Sequence, residues 1–79
     1  MKAYIINLEE SFSGIYNDYI LKVFDSEEKA ENFCENISGA VNGDYVVQDL
    51  SKLEPYRGTI GYVMDSAEYE VYIIERDVE

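Results

Sequence analysis

The chain has 79 residues, with six Lys or Arg against 17 Asp or Glu and a formal net charge of −11. A chain of this length makes one domain, 1–79, that buries somewhat over ~60% of the surface its unfolded form exposes, enough for a single thin core. Its 47% hydrophobic content separates it from disordered acidic tails. The charge opposes direct binding to nucleic acid or to an anionic membrane and makes a basic protein surface the natural partner.

The first ten residues, MKAYIINLEE, carry one Lys and too short an apolar run for a signal peptide. No stretch approaches the ~20 apolar residues of a membrane span. The single cysteine leaves no internal disulfide to form. The expected compartment is the cytoplasm, or the host cytoplasm for a phage-encoded chain. Asn36-Ile37-Ser38 matches the glycosylation sequon by chance, since it falls in a helix.

Residues 2–8, KAYIINL, alternate weakly and predict a first strand, with Tyr4, Ile6 and Leu8 on one face. Residues 9–17, EESFSGIYN, contain the Ser and Gly of a long loop. A second strand is predicted over 18–24, with Tyr19, Leu21 and Val23 on one face and Ile20, Lys22 and Phe24 on the other. The two strands form an antiparallel hairpin.

FDSEEKAENFCENISG, residues 24–39, is the one convincing helix. Asp25 and Glu28 fit a D-x-x-E capping box, with Asp25 as N-cap. Ala30, Phe33, Cys34 and Ile37 form one apolar stripe at i, i+3, i+4, i+7. Gly39 supplies the left-handed stop. Three further segments follow: a strand over 44–50 after an Asn42-Gly43 turn, a strand over 59–64 with Gly61 as a weak point, and a strand over 69–76. The fold class expected is α+β, a mostly antiparallel sheet of about five strands in the order β-β-α-β-β-β, with one helix on one face.

The outer helix face carries Glu27, Glu28, Glu31 and Glu35. Glu27–Glu31 and Glu31–Glu35 are like-charge i, i+4 pairs that local stability disfavours. Such a row imitates a phosphate backbone facing a basic groove, although most charge runs are merely solvated surface. Asp18 and the loop acids Glu9, Glu10, Asp44, Asp49, Glu54, Asp65 and Glu68 extend the acidity. Eight tyrosines and no tryptophan are present. Most serve as half-buried strand residues, and Tyr16 and Tyr56, assigned to loops, are the better contact candidates.

Equipment for catalysis is poor. Cys34 sits on the apolar stripe of a chain with no histidine, so no imidazole activates the thiol. Asn42-Gly43-Asp44 is only a fragment of a calcium loop, and zinc lacks a ligand set. A carboxylate pair acting as a glycosidase needs a cleft that a domain this small scarcely provides. The sequence therefore implies no catalytic residue, no metal site, no cofactor and no enzymatic activity.

The segment YILKVFDSEEKAENFCENI resembles a motif of small bacterial and phage proteins in which a strand ending in Phe or Tyr leads into a D/S-S-E-E-K-A helix start. In size, acidity and lack of a catalytic set, the chain is similar to phage-encoded inhibitors of host defence, the anti-CRISPR and anti-restriction proteins that mimic DNA. The resemblance is one of type and carries over no functional residue. It implies a protein-binding inhibitor that occludes a nucleic-acid-binding site on a nuclease or another DNA- or RNA-binding protein. The partner-binding residues expected are Glu27, Glu28, Glu31, Glu35, Asp18, Tyr16 and Tyr56. The alternative is a structural or regulatory interaction domain, an antitoxin-like partner or a homodimer, that binds through its tyrosine-rich sheet face. A small hydrolase is the third reading, and it lacks a recognisable ligand spacing.

Overall fold

The computed structural model describes residues 1–39 and 45–79. The expected Asn42-Gly43 turn, and Asp44 with it, lie outside the described residues. The architecture is α+β. Strands β1 (Lys2–Phe12), β2 (Ile15–Phe24), β3 (Tyr45–Val46) and β4 (Glu68–Asp77) form an antiparallel sheet in the order β2-β1-β4-β3. Helix α1 (Glu27–Ser38) packs on one face of it. A 3-10 helix (Leu50–Tyr56) and a one-turn helix α2 (Arg57–Ile60) follow β3.

Several expectations are corrected. The segment 9–17 is not a long loop: β1 continues to Phe12 and β2 begins at Ile15, so the hairpin closes on Ser13-Gly14 alone. Both residues have positive φ, 50° and 80°, the combination that matches a two-residue turn to the twist of its strands. Of the predicted strand over 44–50, the described residues keep Tyr45–Val46 as strand, and 47–50 leave it. The predicted strand over 59–64 is absent, since Thr59 and Ile60 belong to α2 and 61–64 form a connection. Among the described residues, four strands therefore replace five, and two α-helices replace one.

The central strand explains where the core sits. Alternation along β1 directs Ile6 and Leu8 to the α1 side, where they meet their cross-strand partners Ile73 and Val71. Ala30, Cys34 and Ile37 of α1 close over them, with Val47, Leu53 and Ile60 from the segment after the helix. Phe33 is half-buried at the margin, tilted 54° against Phe24 and edge-on, at 79°, to Tyr56. The apolar stripe read from the sequence is thus the buried stripe.

The helix start differs from the expectation by one residue. Ser26, not Asp25, is the N-cap, and its side chain accepts from the Lys29 backbone N–H at 3.4 Å. Asp25 instead accepts from Lys29 Nζ at 3.1 Å, an exposed i, i+4 ion pair. Gly39 stops the helix at φ 68°, and its N–H donates to the Glu35 carbonyl.

A bulge in β2 overturns the assignment of faces there. Ile6 opposes Lys22, while Asn7 opposes Ile20, so Leu21 is the extra residue. Tyr19, Leu21 and Phe24 pack against the core, whereas Ile20 and Val23 point away from it together. Without the bulge, residues three apart would have faced opposite ways.

Candidate functional site

Among the described residues, the helix covers one sheet face and no element packs on the other. The register places three rows of side chains across that open face. Val23, Ile5 and Ile74 make the first row; Ile20, Asn7 and Tyr72 make the second; Asp18, Glu9 and Glu70 make the third. Ile20 and Val23 are 57% and 56% exposed, and Tyr72 is 38% exposed. Successive rows are ~7 Å apart along the strands, and neighbours within a row are ~4.8 Å apart.

The carboxylate row sets Glu9 directly opposite both Asp18 and Glu70. Like charges at facing positions of a sheet are destabilising. Asp18 is held by Asn7, whose Nδ2 donates at 2.9 Å, and by Tyr72, whose hydroxyl donates at 3.3 Å. Burial and the neighbouring Asp18 and Glu9 raise the Tyr72 hydroxyl above its ordinary pKa, so Tyr72 is a fixed donor at neutral pH. Tyr16, 65% exposed, faces Ser11 two residues further along the same face.

The sequence-predicted site residues divide between two surfaces. Glu27, Glu28, Glu31 and Glu35 are all exposed on α1, on the far side of the sheet from Asp18 and Tyr16. Tyr16 lies on a strand and not in a loop. Tyr56 lies in the 3-10 helix, half-buried against Phe33. Glu9 and Glu10, read as loop acids, belong to β1, and Glu10 is buried. Sequence reasoning missed Glu9, Glu70, Ile20, Val23 and Tyr72 as one surface. The signal lay in the β1 alternation, but the bulge that unites Ile20 with Val23 has no sequence signature.

Little of this charge is neutralised internally. Among the described residues the ion pairs are Lys2–Glu75, Lys29–Asp25 and Arg57–Glu54, all solvent-exposed. Lys22 stands 5.7 Å from the Phe24 ring centroid, and Arg76 donates to the Glu75 carbonyl. None of these contacts engages the four outer glutamates of α1.

Shallow depressions among the described residues include two small ones. One, of about 200 Å³, is lined by Phe33, Asn36, Ile37, Lys52, Pro55 and Tyr56; the other, of about 220 Å³, by Tyr4, Glu27, Ile73 and Glu75. Both are below the ~300 Å³ at which small-molecule sites begin. The Cys34 thiol is buried, and burial with Glu31 and Glu35 nearby pushes it up to about 11, far from a nucleophile. Among the described residues no group of acids and cysteine gathers closely enough to hold a metal ion. Among them, too, no helix is long and apolar enough to cross a membrane.

Comparison with family models, curated proteins and solved structures gives no match to this chain.

Proposed function

We propose that this protein is a non-enzymatic binding module whose acidic surface takes a basic protein surface. The sharper form is a phage-type inhibitor that imitates nucleic acid and occludes a nucleic-acid-binding site on a nuclease or other DNA- or RNA-binding protein. The observation that carries the reading is the outer face of α1, where Glu27, Glu28, Glu31 and Glu35 are exposed and outside every ion pair among the described residues. Glu27, Glu31 and Glu35 follow one another at single-turn steps of ~5–6 Å, within reach of successive cations in a groove. Shallow depressions and an unactivated thiol support the non-enzymatic part.

The test is the triple reversal Glu27→Lys, Glu31→Lys and Glu35→Lys, compared with the wild type in a pull-down from host lysate at low and high salt. Association through the helix face is lost in the triple variant and weakened by salt in the wild type. Binding that survives the reversal unchanged removes the helix face from the reading.

The open sheet face favours a second reading, an interaction domain or antitoxin-like partner that binds through exposed Ile20, Val23 and Tyr72. Association of that kind is far less sensitive to salt, which separates it from the first.

A further inference from the structure

We infer that the open sheet face is a docking surface for a cationic, amphipathic polypeptide segment, one that sets apolar side chains on Ile5, Ile20, Val23 and Ile74 and Lys or Arg side chains on the Asp18–Glu9–Glu70 row. This rests on the reading that the partner is a basic protein, and it adds a second contact surface for such a partner, on the side of the sheet away from α1. The face is not a uniform surface. An aliphatic row, a mixed row of Ile20, Asn7 and Tyr72, and a carboxylate row follow one another across the same three strands. The spacing of the rows asks for cationic groups ~7–13 Å from the apolar anchors along the strand direction.

Charge complementarity selects this occupant. Two like-charge cross-strand contacts, Glu9 with Asp18 and Glu9 with Glu70, are relieved by a cation laid over the row. Asp18 is already oriented by Asn7 and Tyr72, so its carboxylate is fixed in the second row's direction before any partner arrives. The bulge at Leu21 brings Ile20 and Val23 onto this face together, giving β2 two exposed aliphatic side chains beside the acids. A second copy of the chain fits less well. Arg76, opposite Ala3, is the cation this face offers, so a copy brings it against three carboxylates while each copy carries a net charge of −11. An anionic membrane is repelled by the same row.

The experiment uses three twelve-residue peptides: one with three lysines at one end and Val and Tyr at the other, one of the same composition with the lysines dispersed, and one with the lysines among Ser and Gly. Binding to the wild-type protein is measured by calorimetry, and the contact surface is mapped by amide chemical shifts. The blocked peptide is expected to bind roughly tenfold tighter than the dispersed one, with shifts centred on 18–23, 5–9 and 70–74. Ile20→Ser with Val23→Ser, both at exposed positions, is expected to abolish that preference. The triple lysine reversal on α1 weakens all three peptides and leaves the preference standing. Equal binding of blocked and dispersed peptides, shifts confined to α1, or a preference that survives Ile20→Ser with Val23→Ser overturns the sheet-face assignment while leaving a basic partner in place. Failure of every peptide to bind removes the basic partner and this surface together. Reversible dimerisation of the wild type that the same double substitution abolishes assigns the face to a second copy instead.

Discussion

Tyr69 donates its hydroxyl to Glu10 Oε2 at 2.6 Å, joining β4 to β1 inside the core. Glu10 is 4% exposed, and its other oxygen accepts from Asn17 Nδ2 at 3.2 Å. The same tyrosine oxygen accepts from the Met64 N–H at 2.9 Å and so anchors the connection that leads into β4. A carboxylate in a thin core is tolerated because Tyr69 on β4 and Asn17 on β2 each donate to one of its oxygens. Tyr69→Phe is expected to destabilise the fold by roughly 1–3 kcal/mol, since it leaves both Glu10 and the Met64 N–H short of a partner. Melting should fall about 4–8 °C for each kcal/mol lost in a domain of this size. Glu10→Gln keeps one acceptor oxygen for two donors and falls between Tyr69→Phe and the wild type.

The same pair fixes an alkaline dependence. Burial and the hydrogen bond to Glu10 push the Tyr69 hydroxyl up to about 12, above its ordinary value of 10. The unfolded chain therefore releases this proton first. The contribution of Tyr69 to stability is complete below about pH 10 and is lost as pH rises toward about 12. Denaturant unfolding between pH 8 and 12, values chosen to bracket that window, should show a decline whose Tyr69 component is missing in Tyr69→Phe. An equal decline in both proteins contradicts this.

The helix start gives a comparison between neighbours. Ser26→Ala removes the side-chain acceptor for the Lys29 N–H and is expected to cost about 0.5–1 kcal/mol, the low end for a cap because the contact is long. Asp25→Ala removes only an exposed ion pair and should cost less than Ser26→Ala. Urea denaturation of the two variants ranks them, and the reverse order would restore Asp25 as the cap.

The helix was legible in the sequence because its period, its acidic first turn and its terminal glycine agree. Its N-cap was misplaced by one residue because Asp25 and Ser26 are both good caps, and only the path of the chain out of β2 decides between them. Segment 9–17 misled for another reason. Ser13-Gly14 is a tight hairpin turn, but Glu10 pointing inward breaks the alternation that would have carried β1 to Phe12. That inward carboxylate is explained by its donors, Asn17 across the hairpin and Tyr69, 59 residues away. Residues 59–64 have strand composition, yet Ile60 is used as a single buried anchor after a 3-10 helix that contains Pro55. Of the candidate site, the helix glutamates could be read in advance. The three-strand row of Asp18, Glu9 and Glu70 could not, because register and bulge are tertiary facts.

Cys34 is expected to be inert in the folded protein. Its thiol is buried and raised to about 11, so alkylation at neutral pH should await unfolding. Labelling rates with and without denaturant check this, and rapid labelling of the native state contradicts it.

If the proposed function holds, the glutamates of α1 set stability against binding. Glu31→Lys converts its two like-charge i, i+4 pairs, with Glu27 and Glu35, into attractive ones. The protein should gain a few tenths of a kcal/mol for each pair. A more stable protein that binds the proposed basic partner less well is the expected combination. Thermal unfolding gives the first half, and a variant that loses stability contradicts the electrostatic account of the helix.

The proposed recognition of a basic protein through acidic surface can be decided by capture from host lysate across a salt series, with wild type beside the Glu27, Glu31 and Glu35 to Lys variant. The expected result is a nucleic-acid-binding protein that is retained at low salt, released at high salt and absent from the variant, and that loses its own nucleic acid when the wild type is bound. A captured partner that is held equally at both salt concentrations and equally by the variant contradicts it.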